Sequence, residues 1–223
     1  MICNEVLLER YRAEGISEDI YWESMMDMKY KFNECLDCKG VYGSFVASWF
    51  DGFFRMMRYS MGRFQFEYSD FDREDYTTES GITIKKDEEV LGFHIPWSGV
   101  SLTDDVRIDS YKKAYEFFKE HRRPDGLMIF KCGSWLLYKG HYDFLPEKSN
   151  VLRFMDDFII LESNEKDEFN DAWRLYGGAG YKKPEEWPED NSLYRAFKQR
   201  VLSGGKTGSG FGIVIFDGEK VVK

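Results

Sequence analysis

The stretch from residue 127 to residue 162 constrains the fold of this chain most, because it places two apolar runs around one cluster of polar residues. Apolar runs of roughly four to eight residues that end in turn formers are typical of buried strands. Small polar side chains at the end of such a strand lie where open α/β sheets usually carry their sites. We therefore expect two buried strands that flank a candidate site, whose residues are Cys132, Ser134, Trp135, Ser149 and Asn150.

Composition and charge exclude several classes of protein. A hydrophobic content of 43% with 17% aromatics predicts that all 223 residues fold around a large core. The formal net charge of −9 and the absence of Lys and Arg clusters argue against nucleic-acid and membrane partners, since phosphate groups bind clustered cations. The start, MICNEVLLERYR, has charges where a signal peptide needs an apolar core. We therefore expect a cytoplasmic protein whose partner is a small-molecule substrate.

Four cysteines are spread over the chain, at positions 3, 35, 38 and 132. In the reducing cytosol we expect free thiols. Cys35 and Cys38 form a CxxC pair, which occurs in redox sites and in halves of zinc sites. A structural zinc needs four ligands, but no second CxxC follows and the three histidines are scattered. The sequence therefore predicts no metal, and two incidental thiols are the favoured interpretation of the pair.

The first 59 residues predict a helical segment. Ser17 is a candidate N-cap with acidic residues in the following turn, and its helix should run to about Leu36 before Gly40 breaks the chain. From residue 42 to residue 54, aromatic side chains recur at spacings of three and four. This spacing predicts a second helix that is almost entirely core.

After residue 60 the pattern changes to that of strands. The segment MGRFQFEY (61–68) alternates apolar and polar residues, as a half-buried strand does. The segments 81–85 and 90–96 predict two further strands, so that three consecutive strands should form an antiparallel meander. The polar residues of the first strand fit a solvent-exposed face and a site-lining face equally well; they are Arg63, Gln65 and Glu67.

A helix over residues 104–121 follows, with Thr103 as its N-cap. Because strand, loop, helix and strand form a crossover unit, the strands that begin at residues 90 and 127 should be parallel neighbours. The remaining predicted elements are a short helix over 168–176, a last helix capped by Asp190 or Asn191, and a final strand over 211–216.

Residues 205–207 spell GKT, the end of a phosphate-binding P-loop, but the glycine required five positions earlier is Arg200. The elements also come in the wrong order, with a helix before the segment and a strand after it. The sequence therefore predicts a hairpin or mobile loop here.

Cys132 and Ser134 are candidate nucleophiles and His94 is their candidate base, since each lies at the end of a predicted buried strand. No GxSxG elbow is present, and a buried thiol among apolar residues is usually inert. A structural role for Cys132 is therefore the favoured interpretation.

Six blocks of this chain match a known pattern: MGRFQFE (61–67), LGFHIP (91–96), SYKKAYEFF (110–118), CGSWLL (132–137), LPEKSNVLRF (145–154) and NSLYRAFKQRVLSGG (191–205). They resemble the bacterial family of GNAT-like acyltransferase domain proteins. They cover nearly the whole chain, and CGSWLL with LPEKSN is the specific part. The resemblance implies an α+β fold with a GNAT-like mixed sheet flanked by helices, divided into a helical segment over 1–59 and a GNAT-like α/β domain over 60–223. Because family members are longer at the N-terminus, we expect this chain to lack part of the first domain.

The resemblance implies acyl transfer from acetyl-coenzyme A or another acyl-coenzyme A to an unidentified amine, without a metal. Either Glu67 or His94 would be the base, and Ser134 or Asn150 would orient the substrate or donate a hydrogen bond. With the residues weighed above, the catalytic candidates are Glu67, His94, Cys132, Ser134 and Asn150, the substrate-binding candidates are Arg63, Gln65, Trp135, Ser149 and Arg195, and the cofactor-binding candidates are Gly99 and Ser101. Core packing, capping and ion pairing are the structural alternatives for these residues.

The loop before the predicted helix departs from the pattern of the family. It reads WSGVSLTDDV and keeps only Gly99 of a glycine-rich pyrophosphate loop, while Asp104 and Asp105 fall in the first helical turn. Like unit charges at about 4 Å repel by about 4 kcal/mol near a protein surface. The sequence therefore keeps two alternatives open: a GNAT-like binding or regulatory module without catalysis, and a glycan- or small-ligand-binding module suggested by the aromatic content.

Overall fold

The computed structural model describes residues 2–223, with side chains from Glu5 onward. Its helices are α1 Ile2–Ala13, α2 Glu18–Lys39, α3 Asp51–Phe54, α4 Asp104–Phe117, α5 Asn150–Asp156, α6 Ala172–Tyr176 and α7 Ser192–Leu202. Its strands are β1 Arg58–Met61, β2 Phe64–Asp70, β3 Tyr76–Thr77, β4 Thr83–Ile84, β5 Glu89–His94, β6 Met128–Ser134, β7 Ile159–Lys166, β8 Thr207–Phe216 and β9 Val221–Val222. The structure is therefore α+β, as predicted.

One mixed sheet organises the chain, in the order β1-β2-β5-β6-β8-β7. The strands β1, β2 and β5 are antiparallel to one another, as are β6, β8 and β7. The two halves join through β5 and β6, which are parallel and are connected by α4. This confirms the predicted crossover unit.

The parallel junction between the two halves is short. Only Leu91 with Phe130 and Gly92 with Lys131 are in register, although β5 continues to His94 and β6 to Ser134. Beyond Gly92 and Lys131 the two strands therefore part, and their ends face an opening in the sheet.

Aromatic side chains fill the core. The largest fully buried side chains are Tyr11, Tyr21, Tyr111, Phe53, Phe64, Phe66, Phe71, Phe93, Phe130, Phe154, Phe197 and Phe216. On one face of the sheet Phe64 packs on Phe93 and Tyr111, with ring centroids 4.8 and 5.4 Å apart. Burying one such ring stabilises the fold by about 1.5–3 kcal/mol. Packing thus accounts for most of the aromatic content that suggested a glycan-binding groove.

Helix α2 begins where the sequence predicts and continues to Lys39, beyond the predicted end at about Leu36. The Ser17 side chain accepts a hydrogen bond from the backbone N–H of Asp19, and Gly40 ends the helix in the left-handed region at φ 70°. The helix lies on β1, where the Ser24 hydroxyl accepts a 2.9 Å hydrogen bond from the backbone of Ser60. The helical segment and the sheet therefore share buried polar contacts as well as apolar ones.

The predicted helix over residues 42–54 is wrong. Residues 41–46 are irregular, and a 3₁₀ turn over Ala47–Phe50 leads directly into the four-residue α3. Tyr42 is 87% exposed, so the segment is not all core. Gly43 has a low helix propensity, and the Ser44 hydroxyl accepts from the backbone of Val46, which competes with helical hydrogen bonding.

The predicted strand over 61–68 is two strands of a hairpin. The chain turns at Gly62, whose φ of 64° suits glycine, and Met61 pairs with Phe64 across the turn. The predicted strand over 81–85 does not join the sheet, since β4 pairs with β3 in a separate two-stranded ribbon while β2 pairs directly with β5. The meander is therefore β1-β2-β5.

The second apolar run of the 127–162 stretch begins as a helix. Ser149 accepts from the backbone of Val151 and caps α5, and the buried residues Val151, Leu152 and Met155 follow helical spacing. The strand that follows, β7, lies beyond β8 instead of flanking the cluster beside β6. The composition of this apolar run is typical of a strand, but its buried residues recur with the helical period of about 3.6 residues.

The remaining elements differ from prediction mainly at their ends. Helix α4 stops at Phe117, and a 3₁₀ turn over Lys119–His121 follows; α6 is shorter than predicted, Asn191 caps α7, and β8 begins at Thr207. Among residues 2–223, no helix has the length and apolar character needed to cross a membrane. Cys35, Cys38 and Cys132 are free thiols, and the side chain of Cys3 lies outside the described part of the chain.

Candidate active site

A cleft with a volume of about 830 Å³ opens where β5 and β6 part. The ends of β5, β6, β7 and β8 line it from the sheet, and α2, the turn at 47–50, the loop after β5 and helices α6 and α7 enclose it. The predicted site residues that line the cleft are Arg63, Gln65, His94, Gly99, Cys132, Ser134 and Trp135. The structure thus brings together residues from segments far apart in the sequence.

His94, the last residue of β5, presents its imidazole to the cleft, with 34% of the side chain exposed. Its Nε2 lies 2.8 Å from Oε1 of Glu67 on the neighbouring strand β2. Glu67 stands opposite Gly92, where a Cβ atom would lie only 3.3 Å from Cγ of Glu67, so the glycine leaves space for the carboxylate. The two candidate bases are therefore one hydrogen-bonded pair, with His94 in front and Glu67 behind.

The charge state of Glu67 decides the tautomer of His94. Burial alone would raise the pKa of Glu67, but the hydrogen bond and the charge attraction of His94, together with the ion pair and hydrogen bonds of Arg58, outweigh it and lower the pKa to about 2. The ionised carboxylate only accepts hydrogen bonds, so Nε2 of His94 carries the shared proton and Nδ1 is left as an acceptor. An imidazole in this tautomer can take a proton from a group in the cleft.

Helix α2 supplies the polar wall opposite these strands. Nε2 of Gln65 donates to Oδ1 of Asp27 at 2.7 Å, and Nζ of Lys31 lies 3.0 Å from Oε2 of Glu34. Asp27 is fully buried, and its burial raises its pKa above the usual range, although Gln65 and Lys31 oppose this. This polar face of the sheet is therefore enclosed by α2 instead of facing bulk solvent.

Arg63 holds the loop that leads from β5 to α4. Its Nε donates to the carbonyl oxygen of Val100 at 2.7 Å and its Nη1 to that of Pro96 at 2.9 Å. Burial lowers the pKa of Arg63 to about 10, so it stays charged at neutral pH. Gly99, at φ 76°, has open space around it. The loop is therefore fixed at both sides of a glycine that lines the cleft.

The acidic start of α4 is partly neutralised. Asp104 lies 3.1 Å from Nη1 of the buried Arg107 and 3.4 Å from Nη1 of Arg153. Arg107 also pairs with Asp157 at 2.7 Å. Asp105 is exposed and accepts a hydrogen bond from Thr103, which lowers its pKa. The repulsion that an approaching phosphate meets here is thus smaller than two bare carboxylates would exert.

One end of the cleft is apolar. Trp135 and Leu136 follow β6, and they line the cavity together with Leu175 of α6 and Leu193 and Tyr194 of α7. Leu136 and Leu175 are buried, and Trp135 packs edge to face on the buried ring of Phe197 at 5.4 Å. This end therefore suits an aliphatic group.

Cys132 and Ser134 differ in the chemistry that their side chains can perform. Burial raises the pKa of the Cys132 thiol to about 12, so it stays protonated and is a poor nucleophile at neutral pH. The Ser134 oxygen accepts a 3.1 Å hydrogen bond from the backbone of Leu136, which leaves its own proton free to donate. No contact between either residue and His94 defines a nucleophile–base pair in the described structure.

Other predicted site residues lie outside the lining of the cleft. Ser149 and Asn150 are the N-cap and first residue of α5, and Arg195 donates to the backbone oxygen of Glu189. Ser101 is exposed on the loop before α4. These residues are placed where capping and loop structure explain them.

Sequence reasoning missed residues of the helical segment and of β1 that line the cleft or bond to Gln65 and Glu67. They are Asp27, Lys31, Glu34, Trp49 and Arg58. A correct hairpin centred on Gly62 would have placed Arg58 opposite Glu67. For Trp49 no local signal exists, because its contact with His94 depends on how the helical segment packs on the sheet.

Comparison with known proteins shows what this chain is similar to. Residues 58–214 match the GNAT-like C-terminal domain, and residues 2–56 match the N-acyltransferase N-terminal domain. A search of curated proteins found no match.

Solved acyltransferase structures share the fold. An acyltransferase in complex with decanoyl-CoA has a TM-score of 0.77 and 22% identity over 95% of this chain and 62% of its own. An acyltransferase in complex with decanoyl-CoA and teicoplanin has a TM-score of 0.76 and 21% identity over 96% and 63%. An acyltransferase mutant in complex with octanoyl-CoA has a TM-score of 0.76 and 19% identity over 99% and 64%.

This chain therefore spans less than two thirds of the length of the solved acyltransferases that it matches. The domain matches cover most of its residues in the order found along the chain, which confirms the resemblance seen in the sequence. The chain belongs to the family that joins an N-acyltransferase N-terminal domain to a GNAT-like C-terminal domain.

Proposed function

We propose that this chain transfers an acyl group from an acyl-coenzyme A to an amine, with His94 as the general base. The observation that carries the proposal is the His94–Glu67 pair, which presents an acceptor nitrogen to the cleft between β5 and β6. Attack of an amine on a thioester needs a base for the amine proton and a donor for the developing oxyanion. The family and its acyl-CoA-bound structural relatives support the choice of donor.

We propose that the acyl-coenzyme A lies along the opening where β5 and β6 separate. Past Gly92 and Lys131 the backbone edges of β5 and β6 face the cleft, where the amide-bearing arm of coenzyme A can hydrogen-bond. The loop over 97–103 and the start of α4 would receive the pyrophosphate, because backbone N–H groups at a helix N-terminus favour anions. The two arginines beside Asp104 reduce the repulsion expected from the sequence.

The acyl chain that we propose is longer than acetyl. An acetyl group occupies a small part of a cavity of about 830 Å³, and the apolar end of the cleft has space lined by Trp135, Leu136, Leu175 and Leu193. The structural relatives were solved with decanoyl-CoA and octanoyl-CoA. A medium-length aliphatic chain therefore fits both the cavity and the comparison.

The reaction proceeds by direct transfer. The amine nitrogen attacks the carbonyl carbon of the thioester while Nδ1 of His94 takes the amine proton. The carbon–sulfur bond then breaks, so that the products are an amide and the coenzyme A thiolate, which His94 reprotonates. The Ser134 hydroxyl is the side-chain donor that we propose for the oxyanion, because its proton is free while its oxygen is held by Leu136.

A non-catalytic acyl-CoA-binding module is the second candidate. The exposed Asp105 at the start of α4 favours it, since a carboxylate there weakens phosphate binding. We place it second because a binding module has no need for a histidine whose tautomer is set by an ionised carboxylate.

The test combines binding and turnover. The purified chain is titrated with decanoyl-CoA, acetyl-CoA and coenzyme A by thermal shift; a ligand at a hundred times its Kd stabilises a fold by about 2.7 kcal/mol. Release of the coenzyme A thiol is then followed with a panel of amines. We expect saturable binding, tighter for decanoyl-CoA, and amine-dependent thiol release.

The variant His94→Ala separates the two candidates. It should still bind decanoyl-CoA but lose roughly 10²–10⁴-fold in kcat. His121→Ala is the matched control, because His121 follows α4 and does not line the cleft. Binding without turnover in the native chain would favour the non-catalytic module, and absence of binding would overturn both.

The same proposal includes small molecules as the partners and the cytoplasm as the location. The free thiols of Cys35, Cys38 and Cys132 support this compartment, because an oxidising one favours disulfides.

A further inference from the structure

Arg58 contacts both of the residues that hold His94. It lies on β1 opposite Glu67, and 10% of its side chain is exposed. Its Nε donates to Oε2 of Glu67 at 2.9 Å, and its Nη2 donates to the same oxygen. Its Nη1 donates to the carbonyl oxygen of Trp49 at 2.9 Å, and its guanidinium carbon lies 3.6 Å from the centre of the Trp49 ring.

Trp49 contacts the imidazole directly. The rings of Trp49 and His94 meet edge to face, with centroids 4.6 Å apart and planes at 85°. The imidazole is therefore held by Glu67 through Nε2 and by the indole against its ring. Trp49 belongs to the helical segment and Glu67 to the sheet, so one guanidinium joins the two supports of His94.

The geometry of this contact requires arginine. The guanidinium uses its flat face on the indole and three of its nitrogens as donors in fixed directions. Lysine has a single flexible ammonium group and cannot make the stacked and the forked contacts together. Compared with apolar side chains of similar size, a buried ion pair adds little net stability, because desolvation offsets most of the attraction. The net stability of the ion pair therefore does not explain why Arg58 makes these particular contacts.

We propose that Arg58 is a positioning residue for His94, which acts through Glu67 and Trp49 to aim Nδ1 into the cleft and to keep the imidazole uncharged. The positive charge of Arg58 shares the Glu67 carboxylate with His94 and repels the imidazolium, and both effects oppose protonation. The consequence for turnover rests on the proposed function, whereas the titration of His94 does not.

Other charged groups near His94 stay constant in the test. On α2, Lys31 and Glu34 form an ion pair in the wall of the same cleft, and Asp27 is bonded to Gln65. On the loop side, the guanidinium of Arg63 is held by backbone oxygens. Two further ion pairs in the lining, Arg73 with Glu162 and Arg174 with Asp171, are also unaltered by the substitutions. A change in the titration of His94 therefore reports on Arg58 and Glu67.

The experiment is an NMR titration of the imidazole resonances in the ligand-free protein, with Arg58→Met as the main variant. We expect the titration midpoint of His94 to move to higher pH, because the competing charge is gone. The acid limb of the acyl-transfer rate should move to higher pH by the same amount, since the base must be uncharged. Arg55→Met is the matched control: Arg55 is 71% exposed, its ion pair among the described side chains is with Asp51 at 3.4 Å, and its loss should move neither value.

Arg58→Lys tests the geometric half of the proposal and keeps the charge if Arg58→Met does not fold. We expect an unchanged midpoint, loss of the ring-current shift that Trp49 imposes on His94, and about a tenfold or greater fall in kcat. A folded Arg58→Met protein with an unmoved midpoint would overturn the inference, as would an Arg58→Lys protein with the native ring-current shift. If the midpoint moves but no acyl transfer is found, the proposed function fails and the positioning role stands.

Discussion

The two faces of the β1-β2-β5 half-sheet are built from alternate residues of the same strands, and they are stabilised differently. Phe64 and Phe66 of β2 point into an aromatic core, whereas Gln65 and Glu67 point into hydrogen bonds with Asp27 and His94. The first face depends on packed area and the second on paired charges and fixed donors. A substitution on the first should therefore change stability most, and one on the second should change chemistry and pH dependence most.

The largest effect on stability is expected from Phe64→Ala. Phe64 is fully buried among Phe66, Phe93, Tyr111 and Phe154, so the substitution should lower the free energy of unfolding by about 3–5 kcal/mol. Denaturant unfolding measures this loss, with the 58%-exposed Val41→Ala as the control that changes little. A loss below 1 kcal/mol would show that this face does not hold the fold in the way described.

The next effect is a dependence of stability on pH that comes from Glu67. Because the pKa of Glu67 is lowered to about 2 from an ordinary value of 4.5, its contribution is present above pH 4.5 and is lost as the pH falls towards 2. The free energy of unfolding should fall by an amount on the order of 3 kcal/mol over this range. Unfolding of the native chain and of Glu67→Gln between pH 6 and pH 2.5 measures it as the difference between the two curves. Parallel curves would contradict the ionised pair.

A smaller effect is expected on the preference for acyl chains. Leu193→Trp places a larger side chain in the apolar end of the cleft and should lower kcat/KM for decanoyl-CoA relative to butanoyl-CoA by about 10–200-fold, the usual range for methylene discrimination. Leu202→Trp, on the same helix but 49% exposed, is the control. Equal loss for both donors would place the acyl chain elsewhere.

The smallest effect is expected from Ser149→Ala. Removal of the N-cap of α5 should lower the free energy of unfolding by about 1 kcal/mol while kcat stays unchanged, because Ser149 does not line the cleft. Ser134→Ala is its matched opposite, since Ser134 also accepts from a backbone N–H but lies in the cleft, and it should lower kcat. A fall in kcat for Ser149→Ala would bring α5 into the site.

The sequence was informative where the signal is local. The caps at Ser17, Gly40 and Asn191 depend on neighbouring residues, and the parallel pairing of β5 and β6 follows from the strand, helix and strand between residues 90 and 134. His94 was also accessible, as a polar residue at the end of a buried strand.

The sequence was uninformative where contacts depend on register or on packing between distant segments. The sequence analysis placed no turn at Gly62, so it did not predict the strand in which Arg58 pairs with Glu67. The contact between Trp49 and His94 joins residues 45 positions apart and needs the packing of the irregular segment after α2. An expected helix over residues 42–54 could not reveal it, because that interpretation used spacing alone.

The short junction between β5 and β6 has a mechanical consequence for the whole molecule. Two antiparallel half-sheets meet through two residue pairs, fewer than join neighbouring strands within β1-β2-β5 or within β6-β8-β7, so the seam between them is the weakest line between these six strands. A donor that lies in the seam and bonds to both edges would act as an added strand that couples the halves. Backbone amides at the ends of β5 and β6 should then exchange with solvent more slowly, and the two halves of the protein should unfold as one unit.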